Sequence, residues 1–302
     1  MNQTLLFGNG INYLSENFIS WKELLEIIKG KNLFENGKLP NTMIYERGII
    51  GNPISFDTLS KKEGFIKKQI AEKLKKHPTN KYYLDFFKLG FSNFLTTNYD
   101  YTFINSLKDE IPLEINNKST ESIYSIRRKK TIVTNNKEYD IWHIHGEIDT
   151  VPSIMLGLDH YCGSVGKIDS YVKGSYEYQF NNEEVKVKSI SDKLKSGKFD
   201  NTSWIELFFN SDIHIVGFGF DYSEIDLWWI LNKRVRLMLA NNSSKQITNK
   251  IFYYTTEDDI EQKELLKCLN VTLVHIKKDI NEKTYHQVYK RIINSIKKNM
   301  ER

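Results

Sequence analysis

Short apolar runs alternate with longer amphipathic segments along this chain. Four apolar runs predict strands, and each is followed directly by small or polar residues. They are TLLF at 4–7, FLT at 94–96, YDIWHI at 139–144 and IHIV at 213–216. Further runs predict strands at 131–133, 251–254 and 271–275, and helical spacing predicts helices at 62–76, 80–89, 223–239 and 283–299. Strands that alternate with helices indicate an α/β fold, with a mostly parallel, Rossmann-like sheet covered by helices on both faces.

One helix has clear boundary signals, whereas two segments lack regular spacing. Ser20 and Glu23 have the spacing of a capping box, and Gly30 is placed to end the helix that follows. Residues 31–60 contain several turn-forming residues, and residues 160–200 combine scattered glycines with many Ser, Lys and Asn. We expect both segments to be loop-rich insertions in a single domain that covers residues 1–302.

Composition narrows the class of protein. The chain has 302 residues, and 40% of them are hydrophobic, which is enough for a buried core. Its 43 basic and 38 acidic residues give a small, dispersed excess of positive charge, so we expect no direct contact with nucleic acid. No long apolar run predicts a membrane span or a secretory signal. The two cysteines, Cys162 and Cys268, exclude a disulfide framework and a four-cysteine zinc site, and a cytoplasmic location is expected.

Glycine and polar residues follow the four strands named first. These residues are Gly8, Asn9, Gly10 and Asn12 after the first strand, Thr97, Asn98 and Asp100 after the second, His145 and Gly146 after the third, and Gly217 and Gly219 after the fourth. An acidic helix start with Glu224 and Asp226 comes next. Ligands of open parallel sheets bind beyond the carboxyl ends of the strands, so we expect these residues to form one nucleotide crevice.

Simpler explanations exist for several of these residues. Gly8 and Gly10 would let the backbone approach a pyrophosphate, but they also suit an ordinary strand-to-loop turn, and Tyr13 stands where a dinucleotide fingerprint has a third glycine. Asn98 or Asp100 suits the start of the next helix, although one cap does not explain so many polar residues at a single strand end. Asp226 likewise suits the start of its own helix, and contact with an adenosine ribose is the functional alternative.

The alternation of residues 142–145 predicts that His143 and His145 share one face of their strand. His145 adjoins Gly146, and an unperturbed imidazole suits proton transfer because its pKa lies near neutral pH. Two buried core histidines are the plain alternative. A metal site is another, drawn from His143, His145, Asp149, Asp159 and His160, but it matches no established ligand spacing.

In order and spacing, Gly8-Asn9-Gly10, Thr96-Thr97-Asn98-Tyr99-Asp100, His145-Gly146 and Gly217-Phe218-Gly219 resemble the sirtuin-like fold. They are most similar to its bacterial NAD-hydrolysing branch. The resemblance implies cleavage of the N-glycosidic bond of NAD to nicotinamide and ADP-ribose, with Asn98 orienting ribose and water and His145 acting as the base. It also implies that NAD, as the substrate, contacts the remaining strand-end residues: Gly8, Asn9, Gly10, Asn12, Thr97, Asp100, Gly217, Gly219 and Asp226.

The resemblance also implies a biological setting. Protein-deacylating sirtuins carry a four-cysteine zinc module where this chain has residues 160–200, so hydrolysis is favoured and no metal is expected. Bacterial relatives deplete NAD in anti-phage abortive infection, which implies a homo-oligomer or a complex with another defence protein that controls activity. Three alternatives remain open. One is a non-catalytic module that senses NAD or ADP-ribose, and another is a partner subunit of a defence complex. The third is the AbiH-like family, which normally has Phe-Asp where this chain has Ile11-Asn12.

Overall fold

A computed structural model describes residues 2–30, 34–51, 58–117, 123–240, 247–278 and 285–301. Its strands are β1 (Asn2–Phe7), β2 (Asn93–Thr96), β3 (Glu114–Asn117), β4 (Lys129–Thr134), β5 (Lys137–His143), β6 (Glu177–Phe180), β7 (Glu183–Lys186), β8 (Ser211–Val216), β9 (Ile251–Thr255) and β10 (Thr272–His275). Eight of them form one sheet in the order β10-β9-β8-β1-β2-β5-β4-β3, and β6 and β7 form a separate hairpin. The strands from β10 to β5 are parallel, whereas β4 and β3 are antiparallel to their neighbours.

Helices connect these strands. They are α1 (Trp21–Lys29), α2 (Asn41–Ile50), α3 (Leu59–Leu74), α4 (Tyr82–Phe87), α5 (Thr102–Lys108), α6 (Leu158–Lys173), α7 (Ile190–Ser196), α8 (Leu207–Asn210), α9 (Ile225–Leu239), α10 (Ile260–Cys268) and α11 (His286–Met300). Short 3-10 helices cover Asn9–Leu14, Val151–Ser153 and Trp204–Glu206. None of the helices in the described ranges is long and apolar enough to cross a membrane.

Both faces of the sheet are buried under helices. Successive side chains of a strand point to opposite faces, and Leu5 and Leu6 of β1 accordingly enter different apolar clusters. Leu6 belongs to the cluster that contains Ile168 of α6 and Leu231 of α9, whereas Leu5 belongs to the one that contains Phe103 of α5. The predicted α/β architecture, with a mostly parallel Rossmann-like sheet flanked by helices, is therefore confirmed.

A third apolar cluster joins α1, α2 and α3 to the loops that follow β2 and β5. The predicted capping box starts α1: the amide of Glu23 donates to the Ser20 hydroxyl, and the amide of Ser20 donates to the Glu23 carboxylate at 2.7 Å. Tyr99 and Leu156 anchor the two loops in this cluster. The helices α1, α2 and α3 therefore enclose one side of the region beyond the strand ends.

The loop-rich character predicted for residues 160–200 is wrong. This segment contains most of α6, the β6–β7 hairpin and α7. Tyr161, Ile168 and Tyr171 are buried on one side of α6, with the small Ser164 between them. Together with Gly163 and Gly166, that serine conceals the helical spacing in the sequence. Residues 31–60 are also more ordered than predicted because α2 lies within them, although 31–33 and 52–57 fall outside the described residues.

Candidate active site

The parallel strand ends open into one cavity of about 620 Å³. Strand order reverses beside β1, since the chain continues to β2 on one side and returns to β8 on the other, and such a switch point is the usual ligand site of an open α/β sheet. The predicted residues that line the cavity are Asn9, Gly10, Thr97, Asn98, Asp100, His145, Gly217 and Gly219. Gly8, Asn12 and Asp226 are not among the lining residues and stand behind them.

Gly8 and Gly10 hold the loops after β1 and β8 together. The amide of Gly10 donates to the carbonyl of Gly217 at 2.8 Å, and the amide of Gly8 donates to Val216 at 3.2 Å. A Cβ atom on Gly10 would lie 2.7 Å from the Cα of Gly217. A Cβ atom on Gly8 would lie 2.8 Å from the carbonyl oxygen of Gly217. Close packing of two loops therefore accounts for these glycines, in addition to any phosphate that the loops receive.

Asn12 supports Asn9 from behind. Its side chain is fully buried, donates to the Asn9 side-chain oxygen at 2.7 Å and accepts a hydrogen bond from the Tyr83 hydroxyl. Asn9 in turn donates to the carbonyl of Ile19 and lines the cavity. Asn12, predicted to contact a ligand, would therefore act on it indirectly, by holding the side chain of Asn9.

The loop after β2 places Asn98 at the cavity. The amide of Asn98 donates to the Thr96 hydroxyl at 3.0 Å, which fixes the turn out of the strand. Asp100 accepts from the amide of Thr102 at 2.8 Å in an Asx turn that leads into α5, so the helix-start explanation applies to Asp100. Asn98 has only 8% of its surface exposed and borders the cavity.

His143 and His145 have different surroundings, although the sequence predicts that they share a face. His143 packs edge-on against the Tyr101 ring, lies with Nδ1 3.3 Å from the Asn98 carbonyl oxygen and is absent from the cavity lining. Burial lowers the pKa of His143, so its imidazole is neutral and Nδ1 donates this hydrogen bond. Only His145 reaches the cavity.

His145 lies between two carboxylates. Its Nε2 is 3.1 Å from Asp226 Oδ2, and its Nδ1 is 3.4 Å from Glu224 Oε2. Burial by itself lowers the pKa of His145, but Asp226 and Glu224 together outweigh it and raise that pKa to about 9. At neutral pH both ring nitrogens therefore carry protons, and each faces an acceptor.

The two carboxylates differ in their access to the cavity. Asp226 is fully buried and accepts from the amide of Leu227 at 2.9 Å, so it also helps to start α9. Glu224 lines the cavity and accepts a hydrogen bond from the Tyr161 hydroxyl at 3.0 Å. Burial raises the pKa of Glu224 to about 7, against the opposing effect of His145. The sequence places Glu224 only near a helix start, and its pairing with His145 depends on the tertiary fold.

His145, Glu224 and Asp226 also form the one group in the described residues that offers three possible metal ligands, with ligand atoms within 4.8 Å of one another. The two carboxylates, however, face different ring nitrogens. This geometry suits a protonated imidazole between two acceptors better than one ion bound by all three side chains. The set of His143, His145, Asp149, Asp159 and His160 is not assembled as a ligand group in the described part of the chain.

Aromatic side chains after β8 form another wall of the cavity. Phe218, Phe220 and Tyr222 line it, and the Tyr222 ring stacks on Trp228 with centroids 5.7 Å apart. Tyr222 is 54% exposed, so its ring is accessible from solvent. Flat aromatic surfaces of this kind can stack against a planar base. The aromatic residues after Gly217 are visible in the sequence, but nothing in their spacing indicates a shared wall.

No protein-family model matches the chain, and no curated protein matches it.

Proposed function

We propose that the protein is a sirtuin-like NAD hydrolase, which cleaves the bond between nicotinamide and ribose to give nicotinamide and ADP-ribose. The observation that carries this proposal is the cluster of His145, Glu224 and Asp226 at the same cavity as Asn98. The order of the strand-end motifs supports the sirtuin-like assignment. The position at the switch point supports a nucleotide ligand.

The cluster suits the electrostatics of this reaction. Nicotinamide in NAD is cationic and leaves as a neutral molecule, so the enzyme needs no acid to protonate it. Positive charge develops on the ribose as the bond breaks, and preorganised negative groups stabilise such charge. One protonated imidazole between two carboxylates carries a net negative charge when Glu224 is ionised. In our proposal this charge faces the ribose, and Asn98 orients the ribose hydroxyls and the attacking water.

In this proposal, His145 is the partner of a carboxylate that accepts a proton. A histidine with protons on both nitrogens has no free lone pair, so it acts as a base only after it has lost one of them.

The biological role follows from the same resemblance. We propose that the protein serves as a bacterial anti-phage effector that depletes NAD. Uncontrolled NAD hydrolysis would harm the cell that makes it, so activity has to be restrained. A homo-oligomer or a complex with another defence protein would provide that control.

One observation favours a second candidate function. A doubly protonated His145, held on both sides, is well suited to binding and poorly suited to accepting a proton. The cavity would then sense NAD or ADP-ribose without cleaving either.

Incubation of the purified protein with NAD distinguishes these functions. Chromatography would follow nicotinamide release, and thermal shift would measure binding of NAD and ADP-ribose, where a ligand at 100 times its Kd adds about 2.7 kcal/mol to the free energy of unfolding. Release of nicotinamide supports the hydrolase. A thermal shift with intact NAD supports the sensor, and indifference to both nucleotides contradicts both functions.

A further inference from the structure

We infer that Glu224 is the group that accepts the proton of the attacking water, and that His145 is a positioning residue that keeps this carboxylate ionised and oriented. The inference rests on the proposed hydrolysis of NAD and assigns the proton transfer within it.

The first step of the argument is that the two carboxylates hold His145 in place. Nε2 faces both oxygens of Asp226, at 3.1 and 3.3 Å, and Nδ1 faces Glu224 at 3.4 Å. Only an imidazole with a proton on each nitrogen can donate to Asp226 and also form an ion pair with Glu224 through Nδ1–H. The ring has only 2% of its surface exposed, so water does not replace either partner.

The second step is that Glu224 alone of the two carboxylates meets the cavity. The side chain of Glu224 is 16% exposed, whereas that of Asp226 is 0% exposed. Asp226 is occupied by His145 and by the amide of Leu227. A water molecule in the cavity can therefore reach a carboxylate oxygen of Glu224.

The third step is that the surroundings of Glu224 suit a base at neutral pH. The titratable groups that face it are Tyr99, His145, Tyr161, Asp221 and Asp226. Burial and the neighbouring acids raise its pKa, while His145 and the Tyr161 hydroxyl lower it, and the balance lies at about 7. A base is most effective when its pKa lies near the working pH.

The chemical step balances without another reactant. The water oxygen forms a bond to C1′ of the ribose, the C1′–N bond breaks, and its electron pair leaves with neutral nicotinamide. The water proton passes to Glu224 and is later released to solvent. His145 keeps both of its protons throughout.

The test combines a measurement of protonation with a measurement of rate. Nitrogen-15 NMR of the histidine rings is expected to show His145 protonated on both nitrogens at neutral pH, with a lower pKa in Glu224→Gln. In the wild type, the rate of nicotinamide release should fall as acidification protonates Glu224. Glu224→Gln should lower kcat by roughly 10²- to 10⁴-fold and remove this dependence, while Kd for NAD changes little. Glu224→Asp should restore part of the rate.

Glu264→Gln provides a matched control, because Glu264 is exposed on α10 and pairs with Lys267. This variant should retain the wild-type rate and pH profile. A neutral His145 at neutral pH would overturn the inference, as would a Glu224→Gln variant with an unchanged rate. Wild-type protein that releases no nicotinamide would overturn the proposed hydrolase itself. An active wild type with an equally active Glu224→Gln variant would overturn only the role inferred for Glu224.

Discussion

The Nζ atom of Lys67 lies 2.9 Å from Nε2 of His160, in the contact that joins α3 to the start of α6. The other ring nitrogen of His160 accepts hydrogen bonds from the amides of Leu156 and Gly157, at 3.0 and 2.9 Å, so the ring proton resides on Nε2. Nε2 therefore donates, and Lys67 accepts as a neutral amine while it donates to the carbonyl of Pro152. Burial lowers the pKa of Lys67 to about 8, so this neutral amine becomes the main form in mildly alkaline solution.

Lys67 should make the protein more stable as pH rises above neutral. Its pKa is about 8 in the folded protein and has its ordinary value of 10.5 in an unfolded chain, so between these values the unfolded chain binds more protons. The free energy of unfolding then rises with pH, by roughly 1–2 kcal/mol from this site across the accessible part of the window. Urea denaturation of wild type and Lys67→Met at several pH values would measure it. Identical pH dependence in the two proteins would contradict the lowered pKa of Lys67.

His145 should contribute in the opposite sense. Its folded pKa of about 9 exceeds the ordinary histidine value of 6.5, so its stabilisation is fully present below pH 6.5 and is lost as pH rises through about 9. His145→Ala leaves two buried carboxylates without their counter-charge and should cost about 2–4 kcal/mol at neutral pH. The cost should shrink in alkaline solution, where wild type also loses the charge. A penalty that stays constant from neutral to alkaline pH would contradict a charged His145.

Asn98→Ala should nearly abolish nicotinamide release and leave the fold intact. Asn98 borders the cavity at a loop, so its loss should cost at most about 1 kcal/mol of stability while it removes the group proposed to orient ribose and water. His143→Ala is the comparison for His145→Ala, because His143 is equally buried but does not line the cavity. The measurements are initial rates and melting temperatures. High activity in Asn98→Ala, or an active His145→Ala beside an inactive His143→Ala, would contradict the assigned roles.

Gly146→Ala should be strongly destabilising. Gly146 has a φ of +101°, and a Cβ atom there would lie 2.2 Å from the carbonyl oxygen of Ser153. We expect a loss of at least about 2–3 kcal/mol in the free energy of unfolding, measured by urea denaturation. Gly64→Ala is the control, since a Cβ at that position of α3 meets no atom within 4 Å. That substitution should stabilise the helix by about 0.5–1 kcal/mol.

The protein is expected to work without a bound metal. Asp226 and Glu224 engage different nitrogens of His145, and a metal at either nitrogen would have to displace one of these protons. Metal analysis of protein purified without added zinc should find well under one equivalent. Loss of activity on chelation, restored by a stoichiometric metal ion, would contradict this expectation.

The fold is visible in the sequence where local pattern and tertiary packing agree. The capping box of α1 and the buried runs of β1 and β8 are examples, because their local signals coincide with their buried positions. The helix α6 escapes prediction because Gly163 and Gly166 interrupt its pattern, although the Tyr124 ring packs directly over Gly163. In the site, strand ends predict which loops converge, but they do not predict that Glu224 meets His145. That contact joins residues from distant parts of the chain and needs the parallel alignment of β5 and β8 across β1 and β2.

The central position of β1 has a consequence for synthesis of the protein. Thr4 pairs with Asn93 on one side and with Ile213 on the other, so β1 needs a partner that a ribosome produces much later. Until β8 emerges, the growing chain carries an unpaired apolar strand edge, which is a site for misassociation or for protection by a chaperone. The loop of Gly217 and the carboxylate of Glu224 arrive only after β8. A nascent chain consequently cannot complete the cavity before residue 224 has been synthesised.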